Sequence, residues 1–455
     1  MNREALATNR TNEDNPDLPR MLGTDSGSAP LAPADLKATG VDATELADLT
    51  LKVGCTAPHF TTDWAARRLH LPLHLLQEIL DGLRQDRMVE VLGQAGPFSQ
   101  RFAVTQRGRD RSARLMEISG YVGPAPVSLA SYAALLAWQL ARFPTPNPEE
   151  VAEALANLTL GDEARMMAGL AVSSNRSLFV YGPPGNGKTS LGRLLHNALR
   201  GELWVPHAVT IDGSIIRIYD PQCHKPAEGS LPPGNVDARW VHVRRPFIVA
   251  GGELTLDSFD LSYSAALRYY EAPIHLKANG GLFLIDDFGR ERMEPQQFIN
   301  RWITPLEHQI DYLTLHTGQK IVVPLRLLLV LATNLHLEAV TDAAFLRRLG
   351  YRLHLGPPTA EQYVHIFERY VQGCSAPVQE GLVDRLLRRY QEEGRDLRAC
   401  EPRDLIERAR DVCRFRGRPF ELNDEVMNLA WTGYFGNRDV EDGPTYAPPR
   451  LREIA

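Results

Sequence analysis

Three short apolar runs stand out along the chain, each the length of a buried strand. Residues 177–181 (SLFVY), 282–285 (LFLI) and 327–331 (LLLVL) carry no charge and are bounded by polar or glycine-containing segments. After the first run the spacing changes. Leu191, Leu194, Leu195 and Leu199 recur as they do on one face of a helix. Each apolar run reads as a buried strand, and the leucine spacing after the first reads as an amphipathic helix.

Upstream the pattern is different. From residue 42 to about 118 it reads helix, helix, helix, two strands around GQAGPFSQ, then a basic helix. The second helix is expected over 62–69 and the third over 72–84, with Leu75, Leu76, Ile79, Leu80 and Leu83 facing a core. Strands over 88–92 and 101–105 complete the plan of a winged helix. Residues 1–40, rich in Asn, Asp, Ser, Pro and Gly, are expected to be disordered. The winged-helix-like α+β domain then spans 41–118, and GYVGPAP and FPTPNP punctuate a linker over 119–148 with one helix inside it. An α/β domain over 149–356, a small helical domain over 357–435 and a polar tail over 436–455 follow.

Charge shapes the reading of the winged helix. Its third helix presents His74, Gln77, Glu78, Asp81 and Arg84, which puts two carboxylates where the phosphates of a duplex would lie. Residues 51–118 hold ten Lys+Arg against seven Asp+Glu, with Arg107, Arg109, Arg111 and Arg114 after the wing. That small excess favours a solvated helix face over DNA contact, and the expected role is docking a protein.

With 455 residues the chain is expected to hold two to four domains. Its 44% hydrophobic and 23% charged content is that of a soluble globular protein, and a net charge of -6 gives no global attraction to nucleic acid or anionic membrane. Five cysteines, at 55, 223, 374, 400 and 413, form no C-x-x-C pair and read as reduced thiols. No run reaches membrane-spanning length and the first residues lack a signal-peptide core, so a cytoplasmic location is expected.

The first apolar run leads directly into GPPGNGKT at 182–189. Small residues let successive backbone N–H groups wrap a polyphosphate, and the helix that follows aims its positive end at the anion. Gly182, Pro183, Pro184, Gly185, Asn186, Gly187, Lys188, Thr189 and Ser190 are therefore the expected ATP-binding run. Lys188 is placed to meet the β- and γ-phosphates, and Thr189 to complete Mg²⁺ coordination. The second run ends in Asp286, a candidate Mg²⁺ ligand through its water shell, and Asp287, a candidate for orienting or deprotonating the attacking water. The third ends in Asn334, able to hydrogen-bond the γ-phosphate or that water. Arg347, Arg348 and Arg352 follow near the end of one element, where an arginine can reach a neighbouring subunit's γ-phosphate. Arg403 begins a helix after Pro402.

In this order the parts resemble the AAA+ ATPases, over roughly residues 150–430. The resemblance implies a three-layer core with a parallel sheet and a helical lid. It casts Asn334 as sensor 1, Arg348 or Arg347 as the finger, Arg403 as sensor 2, and the assembly as a homo-oligomeric ring, usually a hexamer. Two features depart from the family: Asp286-Asp287 stands where Asp-Glu is usual, and the connection from the strand near 209–219 to Gly281 is long, with room for a pore loop carrying Tyr219 or Trp240. An aromatic there is more often core. A small hairpin is expected over 316–323. The expected function is Mg²⁺-dependent ATP hydrolysis coupled to remodelling of a protein recruited by the winged helix. A DNA-handling ATPase (a loader or transcription regulator) and a nucleotide-switched scaffold with little turnover are the alternatives.

Overall fold

The computed structural model describes residues 15–24, 27–228, 235–266, 268–290, 293–335 and 343–436. The expected disorder of residues 1–14 and the tail from 437 onward lie outside them. The chain divides into two units. One takes in residues 1–155, 162–181 and 189–353, and the other 156–161, 182–188 and 354–455.

The first unit is organised by a five-stranded sheet in the order Phe247–Ala250, Leu282–Ile285, Leu328–Thr333, Leu178–Tyr181, Tyr351–His354. The first four pair in parallel, with Ala250 opposite Ile285, Ile285 opposite Leu331 and Thr333 opposite Tyr181. All three predicted apolar runs are strands of this sheet. Leu282, Phe283, Leu284 and Ile285 are wholly inaccessible, as strands covered on both faces require. A cluster of Phe179, Phe283, Phe288, Phe298 and Trp302 packs with the sheet, and Phe283 stacks on Trp302 with ring centroids 6.0 Å apart. This mixed α/β architecture on a parallel sheet is the fold class expected from the sequence.

The long connection before the acidic strand is built rather than loose. Ala208–Ile211 and Ser214–Arg217 form a hairpin within a second five-stranded sheet that includes Tyr269–Glu271, Ser262–Ser264 and Val127–Ser128. Trp240–Arg244 pairs with Glu202–Pro206. Trp240 is 4% exposed and belongs to the core, while Tyr219 is half-buried between the rings of His207 and His224. The expected hairpin forms from Ile310–Thr314 and Lys320–Pro324.

Residues 43–118 fold as helices Ala43–Gly54, Thr62–Leu69 and Leu73–Gln85, a hairpin of Val89–Gly96 with Ser99–Val104, and helix Gln106–Ile118. The four leucines and one isoleucine predicted to face inward on the third helix are all buried. Part of the segment expected to be disordered is ordered, and the linker holds the helix expected inside it. Met21–Thr24 pairs with Gly27–Pro30, and the indole of Trp204 donates to the Ser28 carbonyl at 2.9 Å. Within 119–148, helix Leu129–Leu140 buries Tyr132, Leu135 and Leu136. The buried Arg239 pairs with Asp237 at 2.8 Å and donates to the carbonyls of Thr39 and Pro126, which fixes both regions to the same unit. Composition missed the order in the first of these because its partners lie up to two hundred residues away.

The second unit holds helices Ala360–Cys374, Leu382–Glu392, Glu401–Phe415 and Asp424–Phe435 around Tyr363, Tyr390, Leu405 and Trp431. Glu401 lies in this core. Burial pushes its carboxyl above the usual range, and the Tyr390 hydroxyl donates to it at 2.9 Å. No helix among the described residues is long and apolar enough to cross a membrane.

Candidate nucleotide site

The loop that leaves Leu178–Tyr181 turns on glycine. Gly182, Gly185 and Gly187 have φ of 140°, 84° and 87°, values that side chains rarely tolerate. Space is closed as well: a Cβ on Gly185 would lie 2.7 Å from the Cys400 sulfur, and one on Gly182 would lie 2.2 Å from the Leu355 carbonyl oxygen. Lys188, 6% exposed, curls over the loop and donates to the carbonyls of Gly182 and Pro183 at 2.9 and 2.8 Å. The segment before helix Glu401–Phe415 braces the loop, with the Cys400 N–H donating to Gly185 O at 2.9 Å and the Ala399 N–H to Asn186 Oδ1 at 3.2 Å.

Arg403 does not approach the loop through these contacts. Its guanidinium is held by its neighbour Asp404 at 2.8 Å and is 60% exposed. Arg398 is the arginine against the loop, its Cβ and Cδ 3.6 Å from the place a Gly185 Cβ would take. Sequence reading missed Arg398 and Cys400, for which the only local signal is their position just ahead of a helix that begins with Pro402. Burial pushes the Cys400 thiol up, away from a reactive thiolate.

In the first unit, Thr189, Asp286, Asp287 and Asn334 come together from three segments. The Thr189 hydroxyl donates to Asp286 Oδ2 at 2.7 Å. Asp286 is set by its N–H, which continues the sheet to Ala250 O at 2.8 Å. Asp287 has φ of 56°, a left-handed conformation that Asp tolerates better than most residues. Its carboxylate accepts a hydrogen bond from Asn334 Nδ2 at 2.5 Å. The Phe288 N–H to Ala332 O and the Thr333 hydroxyl to Phe288 O, at 2.8 and 2.6 Å, lock the acid-bearing turn to the strand that carries Asn334. Asn334 Oδ1 is buried without a hydrogen-bond partner among the described residues, an acceptor left for a polar group outside the protein. Glu253, at the tip of the adjacent strand, is a further acid that sequence reading passed over, and its carboxylate accepts from the Gly251 N–H at 3.0 Å.

The hydroxyl of Thr189 and carboxylate of Asp286 form a small, hard oxygen set. That fits Mg²⁺, which takes few protein ligands and keeps its waters and substrate phosphates.

The arginines lie elsewhere in the same unit. Arg347 and Arg348 line a cleft of about 580 Å³ with Ser177, Leu327 and Gly350, the residues that open three strands of the parallel sheet. The cleft is thus at the amino edge, while Asp286, Asp287 and Asn334 emerge at the carboxyl edge. Leu328–Thr333 alone spans six residues, roughly 20 Å at about 3.3 Å per residue, further than an arginine reaches. Arg352 is drawn back to the Leu346 carbonyl at 2.8 Å.

A family model described as a domain of unknown function (DUF8689) matches residues 359–433. No curated protein matches the chain. Among solved structures, the RuvB Holliday junction branch migration motor of Thermotoga maritima is 15% identical, covering 65% of this chain and 73% of its own, with a TM-score of 0.33. NtrX from Brucella abortus is 12% identical, covering 61% and 56%, with a TM-score of 0.37.

Proposed function

We propose that the protein is a Mg²⁺-dependent ATPase that works as a homo-oligomeric ring and remodels a protein partner. The observation that carries the reading is the hydrogen bond from Thr189 to Asp286, with Asp287 and Asn334 beside it. Residues picked out by separate motifs meet at one edge of the sheet, and Thr189 is covalently joined to the glycine-rich loop. That edge, beyond the carboxyl ends of parallel strands, is where open α/β sheets take ligands.

In this reading the loop 182–188 cradles the triphosphate and Lys188 exchanges its two carbonyl partners for β- and γ-phosphate oxygens. Thr189 and Asp286 would hold Mg²⁺, which neutralises charge on those oxygens when bound. Asp287 orients the attacking water and accepts its proton, and Asn334 positions both the carboxylate and the water. Arg348, with Arg347 beside it, acts on the nucleotide of a neighbouring copy, because its own acid cluster is on the far edge of the sheet. A contact between unlike edges is heterologous, and such contacts close into rings.

Residues 41–118 are read as a winged helix that recruits protein. Its third helix is occupied on the face that would enter a groove: His74 is hydrogen-bonded to Ala34 O at 3.0 Å and Gln77 to Phe98 O at 2.9 Å. The wing meanwhile exposes Leu92 and Phe98, at 48% and 76%. Lys188→Ala tests the core of the proposal. It removes the charge that meets the phosphates, so ATP binding measured by calorimetry and steady-state hydrolysis should both be lost, with the circular dichroism spectrum and unfolding temperature retained. Undiminished ATP affinity in that variant would sink the assignment.

A further inference from the structure

Glu307 stands at the end of helix Pro295–His308, and its carboxylate accepts a hydrogen bond from Arg348 Nε at 2.5 Å. The cleft they share is also lined by Arg176, Arg326 and Arg347. Glu307 is the one carboxylate among its described lining residues, so four arginines less one glutamate leave an excess of three positive charges. Both partners are anchored to the same edge of the sheet. The Arg348 N–H is bonded to Phe345 O at 2.8 Å and Gly350 N–H to Ser177 Oγ at 3.0 Å. On the other side, Gln309 terminates the helix in a left-handed conformation and accepts the Leu325 N–H at 2.8 Å.

Resting on the reading of Arg348 as the residue that serves a neighbour's ATP, we propose that Glu307 is its positioning residue. Arginine loses much rotamer freedom when it is fixed, and three like charges around the cleft push an uncompensated guanidinium outward. A carboxylate that holds Nε fixes the plane of the guanidinium, and a fixed plane sets the angle at which its terminal nitrogens meet phosphate oxygens. The side chains are 29% and 39% exposed, so the pair adds little to folding stability. Its effect belongs in turnover.

The test uses the full-length protein with ATP as the probe, measuring kcat and KM for wild type, Glu307→Ala, Glu307→Gln, Arg348→Ala and the Glu307→Ala/Arg348→Ala double variant. Misplacing a transition-state group costs rate without costing ground-state binding, so Glu307→Ala should lower kcat by on the order of ten-fold or more, with KM changed less than about two-fold. Glu307→Gln keeps an oxygen that accepts from Nε and should return kcat to within about three-fold of wild type. The double variant should be no slower than Arg348→Ala, since Glu307 acts only through the arginine. Wild-type kcat in Glu307→Ala, beside a defective Arg348→Ala, would overturn the positioning role alone. An additive double variant would overturn it too. Wild-type hydrolysis by Arg348→Ala would instead remove the trans reading beneath it.

Discussion

At the scale of one residue, the proposed chemistry turns on Asp287. It is one methylene shorter than the usual glutamate, its backbone is turned to a φ of 56°, and Asn334 holds its carboxylate at 2.5 Å. A retraction of about 1 Å can cost on the order of a hundredfold in rate, so the isolated protein should be a slow ATPase until a partner or ring closure brings the carboxylate inward. Asp287→Asn should still bind ATP, because Thr189 and Asp286 are untouched, and should stall in single-turnover hydrolysis. Asp287→Glu is the informative companion, expected to raise the basal rate if reach is what limits it. Should the Asn variant turn over at the wild-type rate, Asp287 is not the catalytic carboxylate and Glu253, on the tip of the adjacent strand, is the next acid to replace.

At the scale of elements, the four helices and the hairpin of residues 43–118 present mixed chemistry. Asp81 pairs with Arg84 at 3.3 Å on the third helix, and Arg111 is taken by Asp48 at 2.9 Å. Arg109 donates to Gln106 at 3.2 Å as well as to the Val104 carbonyl, so the basic cluster after the wing is partly spent inside the fold. Full-length protein titrated with labelled duplex should therefore bind weakly and lose that binding as salt approaches physiological strength. A sequence-selective, submicromolar complex at that salt would show that this element reads DNA and would favour a DNA-handling ATPase.

The whole molecule is tested by mixing. Lys188→Ala should fail to bind ATP while carrying an intact Arg348, and Arg348→Ala should bind ATP while lacking the arginine proposed to serve its neighbour. Neither should hydrolyse alone. In exchange-competent mixtures at equal amounts, interfaces that put an intact arginine beside an intact loop should restore a fraction of wild-type activity, read as phosphate release. No recovery would count against action in trans, and with it against the ring.

Much of the candidate site was legible because its signals are local. A four-residue apolar run ending in Asp286-Asp287, or a run ending in glycines and Lys188, encodes a strand and its tip within ten residues, and fully buried strands leave no other arrangement for such runs. The same holds for the four helices of 360–435, each with its own apolar face. Pairings across the fold had no such signature. Arg348 finds Glu307 forty-one residues away, Arg398 comes to lie against the Gly185 turn, and Trp204 holds a hairpin that composition marked as disordered. The sequence by itself marked the candidate residues for phosphate and metal chemistry, since that choice depends on residue type and backbone freedom. Tertiary structure alone decided which arginine is held, by what, and at which edge of the sheet, because those depend on distances that only the packed chain creates.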